Sequence, residues 1–255
     1  MSNNLILFVV AEGRYQNYAD MWELALEKAY PEYERFILTL DTNPKLPKYY
    51  GACIRYLFDH ERFTGKYLYI TDIDMMIVRE SPSLLDFHVK ELEETGLCYS
   101  NTQRGTEVMG FNRLTGLHFI KNNDEWMQAT FNIRAQEYGK LCRGEIGQSP
   151  IDDELMLMRI VKDSGLPLPP PRRNLIERHH GLHLGTVRAH CSKSHQALRQ
   201  AISLRVDRTK ATAWQEVVGS SEYSKILDKI RKKDRQAYQE FYLMDQFTKS
   251  IANSQ

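Results

Sequence analysis

The sequence predicts an α/β fold: a mostly parallel sheet flanked by helices, followed by a helical C-terminal tail. Three observations carry this. Short continuous apolar runs recur at Leu5–Val10, Phe36–Leu40 and Tyr67–Ile70, as expected of strands covered on both faces. Helix-period segments lie between them, so the order is strand, helix, strand, helix, strand. The tail, from about Ser220, has apolar residues at helical spacing among many charges.

Leu5–Val10 opens the chain as a buried strand. The run is short, lacks a basic lead and meets Glu12 at once, so it does not read as a signal peptide. Asn17 to Tyr30 places Tyr18, Met21, Trp22, Ala25 and Ala29 on one helical face, with Pro31 just beyond. Phe36–Leu40 closes on Asp41 and the turn-forming segment that follows it. Tyr49 to Phe63 reads as a second helix, broken by Gly65-Lys66 before the strand Tyr67–Ile70. Further on, Gly96–Ser100 and Val108–Phe111 read as strands, and Asp124–Gln136 and Asp152–Val161 as helices. The proline-rich stretch Gly165–Arg173 is a stiff irregular connection. Residues 1–205 form the expected α/β domain and 206–255 a helical extension.

Bulk properties narrow the function. The 255 residues carry 34 Lys and Arg against 33 Asp and Glu, a formal net charge of +1. Such a balance gives no overall polyanion-binding signature, so a nucleic-acid partner would need a local basic face around Arg172-Arg173, Arg178 and Arg231–Lys233. No apolar run reaches the length that spans a bilayer. The four cysteines are far apart and suggest reduced thiols in a cytoplasmic protein. In the tail, Ile226, Ile230, Ala237, Phe241 and Met244 form a stripe that packs on the domain. Tyr238, Phe241, Tyr242 and Phe247 beside basic residues also suit peripheral contact with an anionic membrane.

The chemistry centres on Tyr67-Leu-Tyr-Ile-Thr-Asp-Ile-Asp-Met-Met-Ile-Val78. Asp72 and Asp74 follow a strand immediately and sit two residues apart. In extended backbone that spacing puts both carboxylates on one side, about 6–7 Å apart along the chain. Such a pair suits a hard divalent cation, Mn2+ or Mg2+, which shares its shell with substrate phosphates.

In this context the segment resembles that of glycosyltransferases of the GT-A fold. The resemblance runs over roughly Leu5 to His190, and its feel is that of the retaining family-8-like branch. It implies a Rossmann-type nucleotide-binding half whose Asp72 and Asp74 hold Mn2+ or Mg2+ on a nucleoside-diphosphate sugar, a UDP-sugar foremost. The acceptor is a hydroxyl on a glycan, glycolipid or protein. It also implies an arginine on the helix before the metal strand, here Arg55, that reaches the nucleotide or the aspartates. By physics alone a structural carboxylate would serve Arg55 equally well.

Other positions follow. The loop after the first strand offers Ala11, Arg14 for a phosphate and Tyr15 for stacking on a base. Asn112 would orient a sugar hydroxyl. Asp152 and Asp153, in Gln148-Ser-Pro-Ile-Asp-Asp-Glu-Leu-Met-Leu157, stand where the family carries an acid that contacts the donor sugar or acts as base. Asp153 is the preferred choice, although acids at a helix start are also favoured without catalysis. In the retaining branch a late histidine completes the metal site, and a glycine and a lysine after it meet the diphosphate. Here His183, Gly185 and Arg188 correspond, with one residue fewer before the glycine and arginine in place of lysine. Both retention and inversion stay open.

Two other functions fit parts of the pattern. A nucleotidyltransferase on a related scaffold also uses paired carboxylates, but its first loop is usually glycine-rich and Ala11-Glu-Gly-Arg-Tyr15 is not. A non-catalytic, nucleic-acid-associated protein would require the basic face named above.

Overall fold

The structure is a computed structural model that describes residues 5–105, 112–122, 124–169, 181–190, 202 and 205–253. Two compact units emerge, each assembled from separate stretches of chain. The first draws on Met1–Gly13, Tyr33–Asp72 and Phe87–Leu175; the second on Arg14–Glu32, Ile73–Asp86 and Ile176–Gln255.

The first unit is built on a five-stranded mixed sheet. Its strands are β1 (Leu5–Glu12), β2 (Glu34–Leu40), β3 (Tyr67–Ile70), β5 (Tyr99–Ser100) and β8 (His118–Lys121), in the order β2-β1-β3-β8-β5. β1 runs parallel to both β2 and β3, and β8 runs antiparallel to β3 and β5. Leu5 to Ala11 are all buried, which is why the run lacks polar alternation. Each fully buried Leu, Phe or Val contributes roughly 1.5–3 kcal/mol. β2 ends the order and is largely exposed, Phe36 included. β8 has no counterpart among the expected strands. It is only four residues long, and His118 interrupts its apolar character although that ring is wholly buried against Trp126.

Helices α2 (Tyr50–Leu57), α4 (Asp124–Cys142) and α5 (Asp152–Asp163) belong to this unit, as does most of α3 (Leu84–Thr95). The expected helix Tyr49–Phe63 stops at Leu57. Phe58 turns extended at ψ 151°, and a short 3-10 turn follows at His60–Arg62. The stop has a physical cause. The His60 ring nitrogen lies 3.0 Å from the Arg55 carbonyl, and Phe58 and Phe63 leave the helix to cluster with Phe8 and Phe36. The expected strand Gly96–Ser100 is reduced to β5. A hairpin of β6 (Gln103–Arg104) and β7 (Arg113–Leu114) stands near Val108–Phe111, a segment outside the described residues. Helix α4 extends six residues past the expected end. Leu166–Pro169 has no regular structure, and the rest of the proline-rich stretch, with Arg172, Arg173, Arg178, His179 and His180, lies outside the described residues.

The second unit contains α1 (Ala19–Ala29), the ribbon β4 (Met75–Met76) with β9 (Leu182–His183), α6 (Leu184–His190) and three further helices. These are α7 (Arg208–Val218), α8 (Ser221–Lys233) and α9 (Arg235–Ala252). Each of the three has a side-chain cap: Asp207 accepts from Lys210 N, Ser220 from Tyr223 N, and Asp234 from Gln236 N and Ala237 N. The tail stripe faces inward as expected of packing, for Ile230, Ala237, Phe241 and Met244 are buried and Ile226 is half-buried. Phe241 meets Trp214 and Tyr18. Of the aromatic residues that suited a membrane surface, Tyr242 is exposed. Among the described residues no helix is long and apolar enough to cross a membrane.

Candidate functional site

In the first unit, α2 and α5 bring a buried arginine between two acids. Arg55 is 3% exposed. Its Nη1 donates to Asp72 Oδ1, and its Nη2 donates to Asp153 Oδ2 at 2.7 Å. Buried guanidinium needs such charged partners. Gly116 makes the room: a Cβ there would stand 2.9 Å from Arg55 Nη2. Tyr56, next on the helix, donates its hydroxyl to the Gly116 carbonyl. Burial pushes the Asp153 carboxyl above the ordinary carboxylate range, against the pull of Arg55. Asp72 is about a third exposed, so it is the open end of the triad.

Asp152 does different work. Its Oδ2 accepts from Gln148 N at 2.8 Å and Ser149 N at 3.0 Å, which closes the turn that starts α5. Glu154, beside Asp153, accepts from Arg104 and Arg113 of the hairpin. Ala11 is buried in β1, and Glu12 after it caps α2 by accepting from Gly51 N at 2.7 Å. Asn112 is exposed just before β7.

The second unit contains the other group. Asp74 is 7% exposed. It lies just before β4, where its carbonyl accepts from Leu184 N and Met75 pairs with His183. The pairing sets His183 Nε2 3.4 Å from Asp74 Oδ1 and Arg188 Nη2 3.0 Å from Asp74 Oδ2. Burial opposes ionisation of Asp74, but His183 and Arg188 outweigh it, and the carboxyl is held well below the usual range. His183 is 40% exposed. Gly185 leaves space for its ring, since a Cβ there would come 2.7 Å from His183 Nε2.

Arg188, Tyr18 and Arg14 meet on Glu240 of α9. Arg188 donates through Nε and Nη2 to Glu240 at 3.0 and 2.9 Å, and through Nη1 to the Tyr15 hydroxyl at 3.2 Å. Tyr15 stacks on Tyr18, and the Arg188 guanidinium lies 5.3 Å over the Tyr15 ring. Tyr18 donates to Glu240 at 2.8 Å. Arg14 reaches Tyr18 and Gln236 and pairs with Asp234. Sequence reasoning named Arg14, Tyr15 and Arg188 but missed Tyr18, Gly116 and Glu240. Glu240 had no visible signal, as one acid among many in the tail.

Within the second unit, Asp74 and His183 each offer an atom of a type that cations accept. Carboxylate oxygen and imidazole nitrogen are both ligand types for divalent cations. Asp74 also meets the requirement that a ligand be ionised.

No family model matches the chain, and no curated protein sequence matches it. Its fold, however, is that of a solved glycosyltransferase, GlyE of Streptococcus pneumoniae TIGR4. The TM-score is 0.50 at 15% identity over 91% of this chain; the apo form of the same protein gives 0.46. The chain spans 64% of the GlyE chain. The 2-C-methyl-D-erythritol 4-phosphate cytidylyltransferase of Thermus thermophilus gives 0.41 at 13% identity, covering 79% of this chain and 98% of its own. An active-site mutant of LgtC gives 0.39 at 16% identity, covering 79% and 84%.

Proposed function

We propose that the protein is a metal-dependent glycosyltransferase that moves a sugar from a nucleoside-diphosphate sugar, a UDP-sugar foremost, to a hydroxyl acceptor. The observation that carries this reading is the buried Asp74 with His183 and Arg188 against it, two residues after Asp72 in a chain with the fold of a glycosyltransferase. Asp72, Asp74 and His183 would hold Mn2+ or Mg2+, which when bound neutralises charge on a diphosphate leaving group.

The other roles belong to the chain's own groups. Arg55 fixes the rotamer of Asp72. Arg188 supplies fixed positive charge for the departing diphosphate, and its planar fork suits phosphate oxygens. Gly185 gives the His183 ring room to turn. Asp153 is the candidate base or donor-sugar contact: it is the buried acid in the first turn of α5, fixed by Arg55, and a base acts from a fixed position within hydrogen-bond reach of the hydroxyl. The capping bonds of Asp152 favour Asp153 of the two. Ala11, Arg14, Tyr15 and Asn112 are assigned to the nucleotide and sugar.

The test is binding followed by turnover. Manganese binding is measured by the spin resonance of free Mn2+, and diphosphate release is followed with a panel of sugar nucleotides. Asp74→Asn should abolish both. Should no sugar nucleotide bind with Mn2+ present, and Asp74→Asn leave manganese binding intact, the proposal fails.

A further inference from the structure

One guanidinium serves two buried carboxylates in the second unit. Arg188 Nη2 lies 2.9 Å from Glu240 Oε2 and 3.0 Å from Asp74 Oδ2. The two contacts are not equal. Glu240 takes a two-bond fork from Nε and Nη2, whereas Asp74 receives one edge. Glu240 also accepts from Tyr18 and Gln236 and is 2% exposed, so it is fixed from several sides.

This matters for the donor-site reading above, on which the inference rests. Asp74 turns Oδ1 towards His183 and Oδ2 towards Arg188, so the guanidinium occupies one of its two oxygens and sets a positive charge against an arriving cation. Arg188 is therefore a built-in competitor for Asp74. A cation arriving between Asp74 Oδ1 and His183 repels the guanidinium at Oδ2 and loosens that contact, while the fork to Glu240 and the bond to Tyr15 stay in place. The arginine then remains beside the cation, held by Glu240 and Tyr15. Without the Glu240 charge, the fork would transfer to Asp74, where a charge-assisted bidentate pair is strongest.

We infer that Glu240, which touches neither cation nor substrate, is a positioning residue that holds Arg188 back from Asp74 and so sets the affinity of the cation site.

The readout is manganese affinity of the full-length protein without nucleotide, with folding checked by circular dichroism. Glu240→Gln should weaken Mn2+ binding about tenfold, the worth of one charge-assisted hydrogen bond. Arg188→Gln should tighten it by removing the competitor. In the Arg188→Gln background, Glu240→Gln should cost less than about threefold, because only its direct charge effect is left. Glu240→Asp keeps the charge and should stay near wild type. Equal weakening by Glu240→Gln in both backgrounds overturns the inference alone, since a purely structural or through-space role predicts it. If Glu240→Gln does not fold, Arg188→Gln decides: unchanged or weaker manganese binding overturns it. Manganese binding that survives Asp74→Asn removes the donor-site reading and the inference together.

Discussion

Arg55→Gln is the sharpest probe of the first unit. The substitution removes a guanidinium that is 3% exposed and bonded to Asp72 and Asp153. It leaves Asp153 buried with no cation. Breaking a buried pair by deleting one partner costs about 3–5 kcal/mol, which for a protein of this size is a fall in Tm of roughly 6–20 °C. The sign with pH is fixed. Asp153 is already raised above its unfolded value by burial, with Arg55 holding it down. Without Arg55 it rises further, so the variant's deficit grows as pH rises through the Asp153 pKa and shrinks as pH falls below it. Adding Asp153→Asn should recover most of the loss at pH 7, because the uncompensated charge is gone. Urea midpoints of wild type, single and double variants at several pH values measure this. A single-variant loss under about 1 kcal/mol, or no recovery in the double variant, refutes the argument that Arg55 is held as a buried counter-ion.

Two further outcomes concern the second unit. Burial pushes Asp245 up to about 6, against bonds from Tyr223 and Trp214; a raised folded value means stability present at low pH and lost as pH rises from about 4 through 6, on the order of 3 kcal/mol. Urea midpoints of Asp245→Asn should lack that slope, and a parallel slope in the variant would assign it elsewhere. Gly181 has φ +84°, and a Cβ there would lie 2.2 Å from the Met76 carbonyl oxygen. Gly181→Ala should therefore cost about 1–3 kcal/mol or more and weaken manganese binding through the β4–β9 pairing, as calorimetry and titration would show.

Much of the sheet was legible because its signals are local. The unbroken apolar run of β1, the short β3 and the alternation with helices follow from burial on both faces. So does the inward stripe of α9, whose apolar period is strong. β8 was hidden by His118, a polar residue that tertiary packing buries. The end of α2 was set by His60 and by an aromatic cluster drawn from three segments, which no window of sequence contains. For the site, two aspartates after a strand were readable, as was an arginine that needs an acid. Which acid it would find was not, because Asp153 lies 98 residues away. Glu240 is the extreme case, joined to Arg188 across 52 residues and unmarked by any pattern.

The pairing of Met75 with His183 has a consequence for how the molecule comes into being. Asp74 and His183 are more than a hundred residues apart, and a two-residue ribbon with the Leu184 N–Asp74 carbonyl bond joins them locally. Closing so long a loop costs entropy that so few ribbon bonds cannot offset alone, so the ribbon must form with the helices around it. A ribosome that has released Asp74 has therefore made half of a ligand pair and must add the rest of the chain before the other half can join it. If Asp74 and His183 hold the proposed cation, its affinity arises late in folding, and its appearance in time would report that the helices around the ribbon have packed.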